Sequence, residues 1–185
     1  FKCIDDVKRA FETQLDFFME KLIRMHNATI GAHGVMFPTI TASCFSQGCI
    51  EKGKVLQQKG SDHHYTTVSI ASMANTIDSF AAIEECVFNK NYLTMGELAD
   101  LLDSNFEGKE NMRQMLINKA PKFGNNIEQV DKYGYYVVNT IDDSLHRFKD
   151  AHGGQWTSLH ATVVYNVEMG KKVGALSDGR LAHTP

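Results

Sequence analysis

Cysteine and histidine side chains at three places in the sequence are candidates for catalysis or ligand binding. The first of these residues is Cys49. It stands in the stretch Ser46–Lys54, which reads SQGCIEKGK. A cysteine in this context is either a catalytic thiol or a small apolar residue on the buried side of a helix, because unpaired cysteine is among the most buried residue types. Local chemistry alone leaves both interpretations open.

The adjacent histidines His63 and His64 form the second group, directly after Asp62. They are either solvated residues of a polar loop or groups that bind a metal, transfer a proton or orient a substrate. Adjacent side chains on an extended segment point to opposite sides, so the two are not expected to bind one metal ion together. A metal-dependent protein that pairs one of them with His33 stays an alternative, and it predicts stoichiometric zinc or iron.

A half-polar strand supplies the third group. Polar and apolar residues alternate over Ser158–Val167, which predicts one strand near 158–167. His160 and Thr162 share its half-polar face, and Ala161 lies on the opposite face. Polar side chains on an otherwise buried strand need partners, which either a ligand pocket or a satisfied core provides.

The elements that position these residues are predicted to be mainly α-helical. Apolar residues recur every three or four positions between Val7 and Met25, as on one face of a long first helix. Thr94 and Glu97 have the spacing of a capping box, which starts another helix. Further helices are predicted over Phe37–Lys54, Met73–Val87, Asn111–Ile117 and Ile127–Phe148.

Composition excludes several classes of function. The 185 residues, 43% of them hydrophobic, fit one globular domain or a piece of a larger one. A net charge of -3 and a pI near 6.2 argue against nucleic acid as a partner, and no apolar run approaches the ~20 residues of a membrane span. Four irregularly spaced cysteines predict free thiols in a reducing cytoplasm. The sequence has no GxGxxG, P-loop, GxSxG or HExxH motif.

Five longer stretches carry a family resemblance. They read CIEKGK, ANTIDSFAAIEECVF, LTMGELADLLDSNFEG, RQMLINKAPKFGNNIEQVD and VGALSDGRLAHTP. In this order and at these distances they resemble the pyruvate formate-lyase-like group of glycyl radical enzymes, especially its dehydratase and decarboxylase branch. The resemblance covers essentially the whole chain, and it implies an α/β fold in which residues 1–185 are a single segment of a ten-stranded barrel surrounded by helices.

The resemblance also implies the chemistry of a larger parent protein. Members of the family abstract a substrate hydrogen with a cysteine thiyl radical, which a stored glycyl radical regenerates. The radical cysteine belongs to a Gly-Cys-Val-Glu motif, so Cys49, in a different and helical motif, is not expected to be the radical thiol. We expect the radical cysteine loop upstream and the glycyl radical domain downstream of this segment, which by itself is then expected to be inactive and to hold no catalytic residue.

In the family, the stretch that corresponds to Leu159–Val163 passes close to the substrate. The substrate-binding candidates are therefore, by resemblance and by residue type, His160, Thr162, Ala161, His63 and His64, and no metal site is expected. Ala161 stands where dehydratases of the family often have a tyrosine, and Gly60–Ser69 also departs from their pattern. These departures argue against a glycerol or choline enzyme and favour a lyase, either a decarboxylase or a dehydratase, that cleaves a C–C or C–X bond. A formate acetyltransferase is the alternative.

The expected partners follow from the same resemblance. A radical S-adenosylmethionine activating enzyme would install the glycyl radical of the parent, and no cofactor is expected to be bound in this segment. The parent is expected to act on a small molecule as a homodimer in the cytoplasm of an anaerobe, because oxygen cleaves the backbone at the radical. Neither nucleic acid nor membrane is an expected partner. A helical binding or interaction module without catalysis stays the alternative of a different class.

Overall fold

The computed structural model describes residues 1–161 and 164–185, and these residues are mostly helical. In chain order the elements are α1 (Ile4–Met36), α2 (Ile40–Cys44), α3 (Cys49–Lys52), a 3-10 helix (Leu56–Gln58), β1 (Thr66–Ile70), α4 (Met73–Ala82), a π-helix (Ile83–Asn89), α5 (Met95–Asp103), α6 (Glu110–Lys119), α7 (Glu128–His146), β2 (Trp156–His160) and α8 (Asn166–Gly170). Among the described residues, no helix combines the length and the apolar content that a membrane span requires.

The chain forms two compact units. The first unit comprises Phe1–Phe11, Ile70–Asn139 and His160–Pro185, and the second comprises Glu12–Ser69 and Thr140–Leu159. The core of the first unit joins the end of α4, the π-helix, α5 and α6, with the buried side chains Ile83, Cys86, Val87, Leu98, Leu101, Phe106 and Leu116. The second unit buries Met19, Ile23, Ile141, Leu145 and Trp156.

Several predicted helices are confirmed together with the signals that predicted them. In α5 the Thr94 hydroxyl accepts a hydrogen bond from the Glu97 backbone N–H at 3.2 Å, and the Glu97 carboxylate accepts one from the Thr94 N–H at 2.7 Å. This reciprocal pair is the capping box, which satisfies backbone N–H groups that have no partner inside the helix. The predicted helix over Met73–Val87 is also present and continues from α4 into the π-helix.

The first helix is longer than its apolar pattern predicted, and less of that pattern is buried. α1 runs over Ile4–Met36. In the described chain Met19 and Ile23 are buried, whereas Phe18 and Met25 are 63% and 64% exposed. The periodicity therefore predicted the helix correctly but not which side chains are covered in this structure.

The prediction of one helix over Phe37–Lys54 was wrong, because two short helices, α2 and α3, occupy this range. Gly48 separates them with a φ of +89°, a left-handed conformation that a continuous α-helix does not contain. The turn is also fixed from outside, since the Asp62 N–H donates to the Gln47 carbonyl at 3.0 Å. The conformation of Gly48 and this long-range contact together account for the interruption, and apolar periodicity reports neither of them.

The predicted strand is confirmed in part and its extent was wrong. β2 covers Trp156–His160, and α8 begins at Asn166, inside the predicted range. Its partner β1 ends at Ile70 and is followed by Ser72, whose φ of +62° turns the chain into α4. The Ala161 N–H donates to the Ile70 carbonyl at 3.4 Å, at the end of the pairing between the two strands. β2 stops where its partner stops, which alternation within one strand does not reveal.

The sequence interpretation also missed β1, which it placed in a polar loop. Thr66, Val68 and Ile70 lie on the more buried side of this strand, in the alternation typical of a half-buried sheet. β1 pairs with β2 in a two-stranded sheet. The Thr157 hydroxyl donates to the Thr66 carbonyl at 3.4 Å, and the 70–161 contact lies four residues further along both strands, so the pairing is parallel. Four β-branched residues out of five were the available signal.

Candidate functional site

A cavity of about 460 Å³ lies in the first unit, where β1 and β2 end. Ile70 is the last residue of β1 and His160 is the last residue of β2, and both contribute to its wall. Most of the wall is apolar. The described residues that line the cavity are Ile70, Ser72, Met73, Ala74, Asn75, His160, Ala161, Asn166, Met169, Gly170, Val173, Leu176, Arg180 and Pro185.

Two of the predicted substrate-binding residues, His160 and Ala161, are brought together in this wall. The His160 ring Nδ1 lies 2.7 Å from the sulfur of Met73, the first residue of α4. The Ala161 backbone is tied to Ile70 through the last contact of the strand pair. Thr162, the third candidate on this stretch, lies outside the described residues.

The other polar groups of the wall come from α4 and from the turn Ser177–Arg180. The Asn75 side-chain amide donates to the Asp178 carboxylate at 2.9 Å. The Arg180 guanidinium donates to the carbonyls of Gly170 at 3.2 Å, of Gly174 at 3.3 Å and of Thr184. A mainly apolar cavity with a few fixed polar groups is the usual form of a small-molecule site.

His63 and His64 belong to the second unit and are not among the residues that line the cavity. His63 is exposed. His64 is partly buried, and its Nε2 lies 3.4 Å from the Asp150 carboxylate and 3.4 Å from the Thr66 hydroxyl. Its ring also meets the ring of His152 edge-on, with 5.1 Å between the centroids. The described neighbours of His64 are thus Thr66, Asp150 and His152.

Asp150 is the centre of this second polar cluster. Its carboxylate accepts hydrogen bonds from the Thr66 hydroxyl at 2.8 Å, the His152 N–H at 2.8 Å and the Gly154 N–H at 2.7 Å. Burial by itself raises the pKa of this carboxyl, but the three hydrogen bonds and the nearby His64 outweigh burial, so the pKa is lowered from 3.8. The cluster holds the loop after α7 against β1, which is a structural role.

No group of three or more histidine, cysteine, aspartate or glutamate side chains among residues 1–161 and 164–185 is arranged to hold a metal ion. His33 lies in the last turn of α1 and its ring faces Phe37, with 6.4 Å between the ring centroids. The described residues thus offer no support for the pairing of His33 with His63 or His64.

Cys49 begins the short helix α3 and is buried, with 3% of its surface exposed. Gly60 packs so closely that a Cβ there would lie 2.9 Å from the Cys49 sulfur. The neighbourhood is therefore that of a packed side chain, in which the thiol fills space between two turns of the backbone.

Cys49→Ala in the full-length parent is expected to preserve most of the turnover and to lower stability by about 1 kcal/mol, because a small buried side chain is truncated. Activity per radical-bearing enzyme and the thermal midpoint measure the two quantities. The exposed Cys44→Ala is the matched control, with neither change expected. A fall of the Cys49→Ala activity to background, with fold and radical content intact, would contradict the packing role.

The residues that sequence reasoning missed are Asn75, Met73 and Arg180 in the cavity, and Asp150 in the second cluster. Arg180 was assigned only to a turn, although a cation beside glycines was an available signal. Met73 and Asn75 lie at the start of α4, a helix that the sequence predicted without indicating a functional residue in it. Their position at the end of the parallel strands follows only from the missed strand β1.

Comparison with known proteins identifies the family. A model described as pyruvate formate lyase-like matches residues 1–170. The Escherichia coli (strain K12) protein named "Probable dehydratase YbiW" is 30% identical over the whole chain, which covers 24% of that protein. The glycerol-bound B12-independent glycerol dehydratase of Clostridium butyricum matches the whole chain and 23% of its own with a TM-score of 0.92 and 29% identity.

A glycyl radical enzyme from Archaeoglobus fulgidus matches the whole chain with a TM-score of 0.90 and 25% identity, over 24% of its own length. The chain spans about a quarter of the length of the curated relatives that it matches. The relatives are glycyl radical enzymes with barrels of the pyruvate formate lyase type, which confirms the resemblance and the fold class. The match over residues 1–170 covers most of the sequence, and the chain therefore belongs to the pyruvate formate lyase-like family.

Proposed function

We propose that this chain is one segment of a glycyl radical lyase, in which it forms part of the wall of the substrate pocket. The observation that carries the proposal is the cavity beyond Ile70 and His160, at the carboxyl ends of two parallel strands. Open parallel sheets bind their ligands in crevices at this edge. Family membership favours this enzyme over a helical interaction module, which has no relative among the matches described above.

Within the proposal, a small organic substrate loses a C–X or C–C bond after hydrogen abstraction. The cysteine and the glycine that carry the radical are, by resemblance, elsewhere in the parent, so turnover by residues 1–185 alone is not expected. Dehydration is the favoured reaction, because relatives that align with the whole chain are dehydratases. The acetyltransferase alternative rests on the family name alone.

The roles of the wall residues follow from their chemistry. His160 orients the substrate or its leaving group through a hydrogen bond from or to the imidazole. Ala161 leaves space in the pocket where a larger side chain would fill it. A contact of Thr162, His63 or His64 with the substrate stays a prediction, and the engagement of His64 with Asp150 makes His160 the residue on which the proposal depends.

The parent is further proposed to receive its glycyl radical from a radical S-adenosylmethionine activating enzyme and to work as a homodimer. Sensitivity of that radical to oxygen would restrict it to the cytoplasm of an anaerobic cell. These assignments rest on the family and not on contacts within the chain.

His160→Ala in the activated, full-length parent is expected to lower kcat/KM about 10- to 100-fold, since the loss of one hydrogen bond to the bound substrate costs roughly 1–3 kcal/mol in the transition state. Radical yield is expected to stay unchanged. Two quantities are measured on the same preparation. They are the initial rate per glycyl radical, with the radical quantified by its electron spin, and the thermal midpoint.

The control is His146→Ala, which removes an exposed imidazole at the end of α7, outside the residues that line the cavity. It is expected to keep wild-type kinetics. If His160→Ala lowers only the thermal midpoint and leaves the rate per radical intact, His160 is a structural residue and the proposed pocket wall is wrong.

A further inference from the structure

We propose that the cavity binds its substrate through an anionic group, a carboxylate or a sulfonate, which pairs with Arg180. The inference deepens the proposed function and rests on it, because it assigns the chemical class of the substrate of the same cavity. Three features support it: the hydrogen bonds of the guanidinium, the way the surrounding turn fixes it, and the charge of the lining residues.

The guanidinium of Arg180 is only partly used by the protein. It donates to three carbonyl oxygens, of Gly170, Gly174 and Thr184, whereas an arginine side chain has five N–H groups. In the part of the chain that the structure describes, these acceptors are neutral and none is a carboxylate. In the described chain the partly buried guanidinium of Arg180 thus has two N–H groups left for a ligand, and no carboxylate is among the acceptors of its side-chain hydrogen bonds.

Glycine at position 170 allows this arrangement. A Cβ there would lie 2.9 Å from the Arg180 guanidinium and would overlap the Thr184 carbonyl. The guanidinium therefore packs directly against the backbone at the end of α8, and three carbonyls orient its plane. Such a side chain has lost most of its rotamer freedom before a ligand arrives, which lowers the entropy cost of binding.

The turn that carries Arg180 is fixed in the same way. Asp178 accepts a hydrogen bond from the Arg180 N–H at 3.0 Å and another from Asn75 of α4 at 2.9 Å. Lys122 donates to the Asp178 carbonyl at 3.0 Å, and Arg113 of α6 donates to the Gly179 carbonyl at 3.1 Å. Three of these hydrogen bonds, from Asn75, Lys122 and Arg113, thus tie the turn to the rest of the first unit, and the fourth closes the turn itself.

The charge of the wall decides which ligands fit. Of the described residues that line the cavity, Arg180 is the one with a permanent charge, and none is acidic. Because most of the remaining wall is apolar, an ion pair with Arg180 is screened less than it would be in water. A substrate with a carboxylate or a sulfonate gains a charge-assisted, two-pronged hydrogen bond, and a substrate with an ammonium group is repelled.

The test uses binding to the full-length parent without its radical, so that it does not depend on turnover. The probes are three two-carbon hydroxyl compounds: glycolate as the carboxylate, isethionate as the sulfonate and ethylene glycol as the neutral molecule. Ligand-observed NMR titrations at low and at physiological salt compare wild type with Arg180→Gln, which keeps hydrogen-bond donors for the carbonyls but removes the charge.

Arg24→Gln is the control, because Arg24 is an exposed arginine of α1 that pairs with Glu20, does not contact the turn Ser177–Arg180 in any described bond and does not line the cavity. We expect wild type to bind at least one of the anions about 10- to 100-fold more tightly than ethylene glycol, in keeping with the strength of charge-assisted hydrogen bonds. Arg180→Gln should abolish this preference and its salt dependence, and Arg24→Gln should retain both.

Three outcomes overturn the inference. The first is equal binding of the neutral and anionic probes to wild type, the second is an anion preference that survives Arg180→Gln, and the third is an equal loss in Arg24→Gln. Each leaves the proposed function standing if His160→Ala shows its kinetic loss, since a lyase for neutral substrates uses the same wall. Loss of the His160 effect with retained anion binding would instead remove the proposed function and leave a binding site.

Discussion

Asp150→Ala in the full-length parent is expected to destabilise the segment around the loop after α7 by about 3–5 kcal/mol. The substitution removes one acceptor and leaves three donors without a partner, namely the Thr66 hydroxyl and the backbone N–H groups of His152 and Gly154. Each unpaired buried donor costs roughly 1–3 kcal/mol, less where water enters. Hydrogen exchange of the peptides that contain β1 and residues 147–155 measures the free energy of local opening.

Asp150→Asn separates the hydrogen bonds from the charge. One carboxylate oxygen accepts from both backbone N–H groups, and the other accepts from Thr66 and faces His64. An amide oxygen in the first position keeps both backbone bonds, and its NH₂ group can donate to the Thr66 hydroxyl. We therefore expect Asp150→Asn to cost about 1 kcal/mol, well below the loss for Asp150→Ala.

The dependence on pH distinguishes the two variants further. The pKa of Asp150 is lowered from 3.8 in the folded protein, so its carboxylate contributes stability that is fully present above pH 3.8 and is lost as the pH falls through the folded-state pKa. The difference between wild type and Asp150→Asn should accordingly be constant above about pH 5 and shrink below 3.8.

The control for this prediction is Asp103→Ala, at the exposed end of α5, where a change within about 0.5 kcal/mol is expected. Exchange in the Asp150→Ala variant that matches wild type in β1 and in residues 147–155 would show that the three donors find other partners. A wild-type stability that rises as the pH is lowered below 3.8 would contradict the direction of the Asp150 pKa shift.

Sequence reasoning succeeded where the determining contacts are local. The capping box of α5 joins residues three positions apart, and the apolar residues of α7 recur every three or four positions. Both features could therefore be predicted from the sequence. It failed at Gly48 and at the end of β2, where the structure depends on Asp62 and on the end of β1. Those partners are far away in the sequence, and alternation or periodicity carries no information about them.

The candidate site shows the same division. His160 and Ala161 were found because alternation and family resemblance pointed to the same short stretch, and the structure places both in one cavity. Arg180 was missed because its contribution arises from carbonyls of Gly170, Gly174 and Thr184, which a sequence pattern does not bring together. A contact of His64 with the substrate stays a prediction, and its contact with Asp150, 86 positions later in the chain, could not be predicted from a local pattern.

Gly179→Ala, in the turn Ser177–Arg180, is expected to lower stability by about 2–4 kcal/mol. Gly179 has a φ of +92°, which a residue with a Cβ adopts only at a cost of roughly 1–3 kcal/mol. A Cβ there would also lie 2.5 Å from Ile117 Cγ1 and 3.2 Å from the Arg113 carbonyl, within the buried contact between the turn and α6. The thermal midpoint and hydrogen exchange of the turn measure the loss.

Two other glycines separate the two causes. Gly153 has a φ of +79°, and a Cβ added there would meet no atom within 4 Å, so Gly153→Ala isolates the backbone cost. Gly174 has neither feature, and Gly174→Ala should be close to neutral. The double substitution Gly179→Ala with Ile117→Ala removes the overlapping side chain, so it should cost less than the sum of the two single losses.

The Gly179→Ala substitution is also expected to affect the cavity, because displacement of the turn moves Arg180. Gly179→Ala is therefore expected to weaken binding of an anionic probe as well as stability, and the double substitution should recover part of both losses. If Gly179→Ala were as stable as Gly174→Ala, α6 would accommodate the added methyl group without cost. The turn would then not be held rigidly, and the fixed orientation of the Arg180 guanidinium, on which the proposed selectivity for anions depends, would be contradicted.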